Sequence, residues 1–183
     1  MQEVQKSKSM EKHLFLIGFM ACGKSTIGSK LANQLNCPFI DTDLLIEARL
    51  KENIKDFILD NDENSFRIIE REILNEVIGL KEKSIIATGG GLPCFFDNSQ
   101  LLRDNGLVIF IDTPEEVLFS RLLANDSRPL TAHLNPSELM EFINLKLEER
   151  RSYYEKANIT ITGNKSITEI CSEIQDKLEL IKS

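Results

Sequence analysis

The chain has 183 residues, of which 42% are apolar and 28% charged, a balance that suits one soluble globular domain with a full core. Its net charge of −7 excludes a general nucleic-acid or anionic-membrane binder, because both need a positive surface. The four scattered cysteines (Cys22, Cys37, Cys94, Cys171) form no C-x-x-C pair, no apolar run reaches membrane-spanning length, and no signal segment opens the chain, so a reduced cytoplasmic setting is expected.

In chain order, residues 1–11 are expected to be a disordered leader. They are polar and unpatterned through Ser9, and Met10 is an alternative start. Residues 12–183 are expected to form a single domain. His13–Ile17 is an apolar run of strand length, and it leads into Gly18-Phe19-Met20-Ala21-Cys22-Gly23-Lys24-Ser25. That spacing, G-x-x-x-x-G-K-S, is a loop that cradles nucleotide phosphates. Gly18 and Gly23 let consecutive N–H groups face one anion, Lys24 brings a charge to the β- and γ-phosphates, and Ser25 offers a hydroxyl to magnesium. Ile27, Leu31, Ala32 and Leu35 then recur at helical spacing until Asn36-Cys37-Pro38 stops the helix.

A second strand, 38–40, runs into Asp41-Thr42-Asp43, where two carboxylates two residues apart on an extended segment point the same way. One suits water-mediated contact with magnesium and the other acceptance of a proton from an attacking hydroxyl. The alternative makes Asp43 the N-cap of a helix at Leu44-Leu45-Ile46. A helix from about Glu63 to Gly79 buries Phe66, Ile69, Ile73, Leu74 and Val77, with Arg67 in its early turns. A third strand, 84–88, ends in Gly89-Gly90-Gly91, either bare backbone for a small ligand or a flexible turn.

The fourth strand, 107–112, ends at Asp112. Thr113-Pro114-Glu115-Glu116 follows as an expected helix start capped by Thr113. Residues 124–135 are polar and contain Arg128-Pro129, where a mobile loop would bring Arg128 over the γ-phosphate. Asn135-Pro136-Ser137-Glu138 opens another helix, which carries Arg150. Strand 158–162 and a last helix from Ser166-Ile167-Thr168-Glu169 close the chain. For Arg67 and Arg150 the competing reading is a solvated helical residue, Arg67 paired with Glu63 and Arg150 beside Lys146. His13 and His133 lack partners for a nucleophilic triad. Strands alternating with helices predict a three-layer α/β/α fold on a five-stranded parallel sheet.

Together these pieces resemble the shikimate kinases of the nucleoside-monophosphate-kinase-like group, over about residues 12 to 182. The resemblance rests on the phosphate loop, Asp41-Thr42-Asp43, Phe66-Arg67, Thr88-Gly89-Gly90-Gly91, Arg128-Pro129-Leu130, and Arg150 with Tyr154. It implies a P-loop kinase fold with a mobile lid at about 124–135 and a shikimate-binding region at about 41–80. It also implies ATP and shikimate as small-molecule substrates, Mg2+ as cofactor, no nucleic-acid or membrane partner, and a monomer.

By the same resemblance Asp43, Lys24 and Arg128 are catalytic, with Asp43 the base. Asp43, Arg67, Gly89, Gly90, Gly91 and Arg150 bind shikimate, the two arginines clamping its carboxylate. Gly18, Ala21, Cys22, Gly23, Lys24, Ser25, Thr26, Arg121, Arg128 and Lys165 contact the nucleotide, Arg121 packing on adenine and Gly163-Asn164-Lys165 completing the adenine loop. Ser25, with Asp41 through water, holds the metal. The implied activity is ATP-dependent phosphorylation of shikimate in the chorismate and aromatic amino acid pathway. Two alternatives stay open: a gluconate kinase-like enzyme of the same fold, or a non-catalytic nucleotide-binding module. The chain departs from the family pattern where many members have glycine at Ala21, in Cys22, and in Ser152 where proline is common. Alanine at 21 fits the loop if that position needs no positive φ, and Cys22 is expected to be an oxidation site at a helix N-terminus.

Overall fold

The computed structural model describes residues 12–124 and 134–182. The leader, most of the expected lid, Arg128 and His133 lie outside the described residues. Five strands, β1 (His13–Ile17), β2 (Phe39–Asp41), β3 (Ile85–Ala87), β4 (Gly106–Asp112) and β5 (Ile159–Thr162), form one parallel sheet in the order β2-β3-β1-β4-β5. Every residue of β1 and β3 is buried. That explains why these strands read as continuous apolar runs rather than alternating ones: helices cover both faces of a parallel sheet.

The helices are α1 (Lys24–Leu35), α2 (Thr42–Leu50), α3 (Ile54–Asp60), α4 (Glu63–Ile78), α5 (Asn98–Asn105), α6 (Glu115–Leu123), α7 (Pro136–Tyr154) and α8 (Ile167–Lys182), with a 3-10 turn at Leu92–Cys94. Where the sequence signals a stop, the backbone obeys. Asn36 takes the left-handed conformation at φ 50 and its N–H donates to Ala32 O, which ends α1. Asn135 and Glu138 form the reciprocal capping box expected for α7. The Ser166 N–H donates to Glu169 Oε2 at 2.9 Å, and the Glu169 N–H donates back to Ser166 Oγ at 3.3 Å.

One expected helix start is corrected, and one alternative falls away. Thr113 does not cap α6: Pro114 holds that position, and its carbonyl accepts from Val117 and Leu118. The Thr113 side chain instead packs against the bare Gly163, where a β-carbon would stand 1.9 Å from Thr113 Oγ1. Asp43 is not the N-cap of α2 either. Asp41 caps it, accepting from the Asp43 N–H at 3.1 Å. Helix α3 places Ile54, Phe57 and Ile58 at i, i+3 and i+4, a short apolar stripe that packs against the core although none of its residues is fully buried. The loops leaving all five strands at their carboxyl ends gather on one edge of the sheet, where open α/β folds place ligands. Among the described residues, no helix is long and apolar enough to cross a membrane.

At the opposite end of the sheet, His13 is buried with Nδ1 accepting from the Ser84 N–H at 3.2 Å and Nε2 3.5 Å from Lys83 Nζ. Burial first, and the lysine charge second, lower its pKa from 6.5. The unfolded chain therefore binds a proton that the native state refuses. Stability is fully present above pH 6.5 and is lost as pH falls below that value, down to the folded pKa. His13→Asn keeps an acceptor for Ser84 and removes the titration. Thermal unfolding at about pH 7.5 and 5.5 should therefore show a smaller acid-induced drop in His13→Asn than in the parent.

Candidate active site

The phosphate loop bridges β1 and α1, and its backbone is set by three residues of positive φ: Gly18 at 141°, Ala21 at 63° and Gly23 at 101°. A β-carbon on Gly18 would also meet the carbonyl of Ile111 at 2.8 Å. Helix α1 has no side-chain cap and no acidic residue in its first turn, so its leading N–H groups are left for an anion. Lys24 Nζ donates to Gly18 O and Phe19 O, both at 2.9 Å, and so folds back over its own loop. The Arg121 guanidinium donates to Ala21 O, Cys22 O and Gly163 O at 3.1–3.3 Å, tying the loop to the turn after β5.

Alanine at position 21 does stand at a positive φ, so the condition under which it fits the loop without strain is not met. Cys22 is 1% exposed, buried in the core beneath the loop, and this burial removes the expected oxidation site. A cavity of about 410 Å³ opens above the loop, lined among others by Ala21, Gly23, Lys24, Ser25, Thr26 and Arg121. Lys165 is not among its lining residues: it pairs with Glu173 at 2.6 Å.

Beside Ser25, Asp41 accepts the Ser25 hydroxyl at 2.6 Å. The two carboxylates of Asp41 and Asp43 reach the same cavity, but not by strand alternation, because Asp43 already belongs to the first turn of α2. Burial, and then the Asp41 charge beside it, push the Asp43 pKa up to about 6. The hydroxyl and carboxylates supply the oxygen donors that a hard cation such as magnesium requires.

A second cavity of about 330 Å³ adjoins the first and shares Met20, Asp43 and Gly90 with it. Arg67 and Arg150 both line it. Arg67 is 8% exposed, which removes the solvated-pair reading, although its bond to Glu63 is present at 2.7 Å. It also donates to the buried Glu70 at 2.8 Å and stacks 3.9 Å over the ring of Phe95. Burial raises Glu70 to about 7 even against the opposing charge of Arg67. Arg150 lies 5.7 Å over the Phe19 ring. The buried Tyr154 hydroxyl, one turn on, donates to Gly90 O at 2.6 Å.

None of Gly89, Gly90 and Gly91 has a positive φ, so backbone freedom does not explain the triplet. Missing side chains do. A β-carbon at Gly89 would stand 2.6 Å from Glu70 Oε1 and 2.8 Å from Asp43 Oδ1, and one at Gly91 would stand 3.0 Å from Arg67. Two buried polar atoms here, Arg67 Nε and Glu70 Oε1, have no partner. Among the described residues these are the unanswered polar atoms of the Arg67–Glu70 pair, which is joined through other atoms.

The family model for shikimate kinase matches residues 20–179. The chain belongs to the shikimate kinase family. A shikimate kinase of Phocaeicola vulgatus is 42% identical over 145 residues, covering 79% of this chain and 82% of that one. The crystal structure of shikimate kinase from Bacteroides thetaiotaomicron matches with a TM-score of 0.88 and 35% identity over 92% of this chain and 98% of that one. The shikimate kinase from Acinetobacter baumannii in complex with shikimate matches with a TM-score of 0.84 and 30% identity over 93% and 94%.

Sequence reasoning missed Glu70, yet its signal was available. Arg67 and Glu70 interrupt the stripe Phe66, Ile73, Leu74, Val77 on the buried face of α4, where charged residues require a function or a partner. The strained loop residue supplies a test. Ala21→Gly relieves a left-handed alanine, so it should raise unfolding stability by roughly 1 kcal/mol, seen as a higher urea midpoint at unchanged slope.

Proposed function

We propose that this shikimate kinase family member transfers the γ-phosphoryl group of ATP to the 3-hydroxyl of shikimate, giving ADP and shikimate 3-phosphate in the chorismate and aromatic amino acid pathway. One observation carries the reading: a phosphate-loop cavity and an arginine-lined cavity meet at a single buried carboxylate, Asp43. A donor phosphate in the first and an acceptor hydroxyl in the second would approach each other there. Phosphoryl transfer asks a protein mainly for positioning and charge neutralisation, and this arrangement can supply both.

In this reading the acceptor hydroxyl gives its proton to Asp43 as its oxygen bonds to the γ-phosphorus and the bond to the bridging β-oxygen breaks. Lys24 exchanges the carbonyls of Gly18 and Phe19 for β- and γ-phosphate oxygens. Arg67 and Arg150 hold the shikimate carboxylate, a planar group suited to the guanidinium fork. Gly89, Gly90 and Gly91 offer bare backbone to its other hydroxyls, and Glu70 holds Arg67 in place. Ser25, with Asp41 through water, would hold magnesium, which when bound neutralises charge on the β- and γ-oxygens. Arg121 packs beside adenine, and Arg128, outside the described residues, stabilises the transferring group. Four unpaired cysteines support a cytoplasmic setting.

The reading is tested by ADP release from the purified chain with MgATP and either shikimate or gluconate. Turnover with shikimate is expected, and turnover with gluconate alone would overturn the assignment. Binding of ATP and shikimate without product would leave only a nucleotide-binding module. The pH profile adds a second check. Asp43 must be ionised to accept a proton and its pKa is raised to about 6, so kcat/KM should fall as pH drops through about 6. An acid limb near 4 instead would remove Asp43 from the role of base.

A further inference from the structure

The acceptor cavity carries a third cation. Lys55, on α3, lines it together with Arg67 and Arg150 and is half-buried. Among the described residues it has neither a hydrogen bond nor an ion pair. The nearby acids are engaged elsewhere: Asp56 accepts from the Asn53 amide at 3.3 Å, and Glu47 Oε1 accepts from the Ile54 N–H at 3.3 Å.

Charge inside the cavity shows why a third cation matters. Asp43, Glu47 and Glu70 line the same walls and oppose the entry of an anion. Against them Arg67 is only partly available, since Glu63 and Glu70 hold its two terminal nitrogens at 2.7 and 2.8 Å. Arg150 has no carboxylate within ion-pair distance among the described residues. Arg150 and Lys55 are therefore the cations of this cavity that no carboxylate holds in an ion pair among the described residues, although the charge of Arg150 still acts on Glu70. Ile54, Ile58 and Phe66 make an apolar wall beside them, which weakens solvent screening and strengthens any charge contact made there. A lysine suits such a place: a long flexible stem can lie along apolar surface while the ammonium offers three donors to a ligand.

We propose that Lys55 binds the carboxylate of the acceptor together with Arg150, completing a clamp in which Arg67 is already shared with Glu63 and Glu70, and so sets the preference of this chain for anionic acceptors. The proposal rests on the reading of this cavity as the shikimate site. Its test compares the full chain with Lys55→Gln and Lys55→Arg, measuring KM for shikimate, KM for ATP and kcat by ADP release. Lys55→Gln should raise the KM for shikimate about tenfold or more, the value of one charge-assisted hydrogen bond, with kcat and the KM for ATP within about twofold. Lys55→Arg should recover most of the loss. An unchanged KM for shikimate in Lys55→Gln, beside normal turnover by the parent, overturns the Lys55 assignment alone. So does a fall in kcat with both KM values raised together, which marks a structural role. Failure of the parent to phosphorylate shikimate would overturn the reading beneath it, and the assignment with it.

Discussion

Glu70, Asp43, Arg67 and Arg150 converge on residues 89–91, and they do so only because those residues have no side chains. The constraint is steric rather than conformational, since all three glycines hold backbone angles open to any residue. Without it the carboxyls at Gly89 would be driven off, and Arg67 would lose its seat against Gly91. The remaining features follow. Helix α4 places Arg67 and Glu70 on its buried face, and α7 brings Tyr154 to the Gly90 carbonyl, with Arg150 one turn before it.

Burying charge is expensive, and the site shows where that expense falls. Asp43 and Glu70 are both pushed toward neutrality by desolvation, to about 6 and about 7, although Lys24 and Arg67 oppose the shift. At neutral pH the ligand-free protein thus holds carboxylates in surroundings that disfavour them, and leaves Arg67 Nε and Glu70 Oε1 without partners. An anionic ligand entering there meets those carboxylates as like charges, and the arginines of the cavity must answer it. A carboxyl poised near 6 is also a better proton acceptor than one near 4. The instability and the chemistry share one cause.

The sequence made legible whatever depends on neighbours along the chain. The phosphate loop, the cap at Asn135 and the stop at Asn36 each need only a few adjacent residues, and each stands where expected. What depends on distant partners was hidden. Thr113 sits in a sound capping pattern, yet the missing β-carbon of Gly163, fifty residues on, draws it elsewhere. Whether Ala21 fits the loop without strain stayed open because spacing does not report φ. Asp41 and Asp43 were placed near the loop by a strand argument, but a helix turn brings Asp43 there. Helix α3 went unseen because its stripe, Ile54, Phe57 and Ile58, spans little more than one turn of a seven-residue helix with no fully buried residue, and Lys55 went unseen with it.

The central claim is that Asp43 joins the two cavities chemically and not merely in space. Asp43→Asn keeps the shape of the carboxylate and removes its capacity to take a proton. Calorimetric binding of ATP and of shikimate to this variant should be measured beside its single-turnover formation of shikimate 3-phosphate. The account predicts near-parental affinity for ATP, retained binding of shikimate, and phosphoryl transfer slowed by about a hundredfold or more. Transfer at the parental rate with both ligands bound would contradict it.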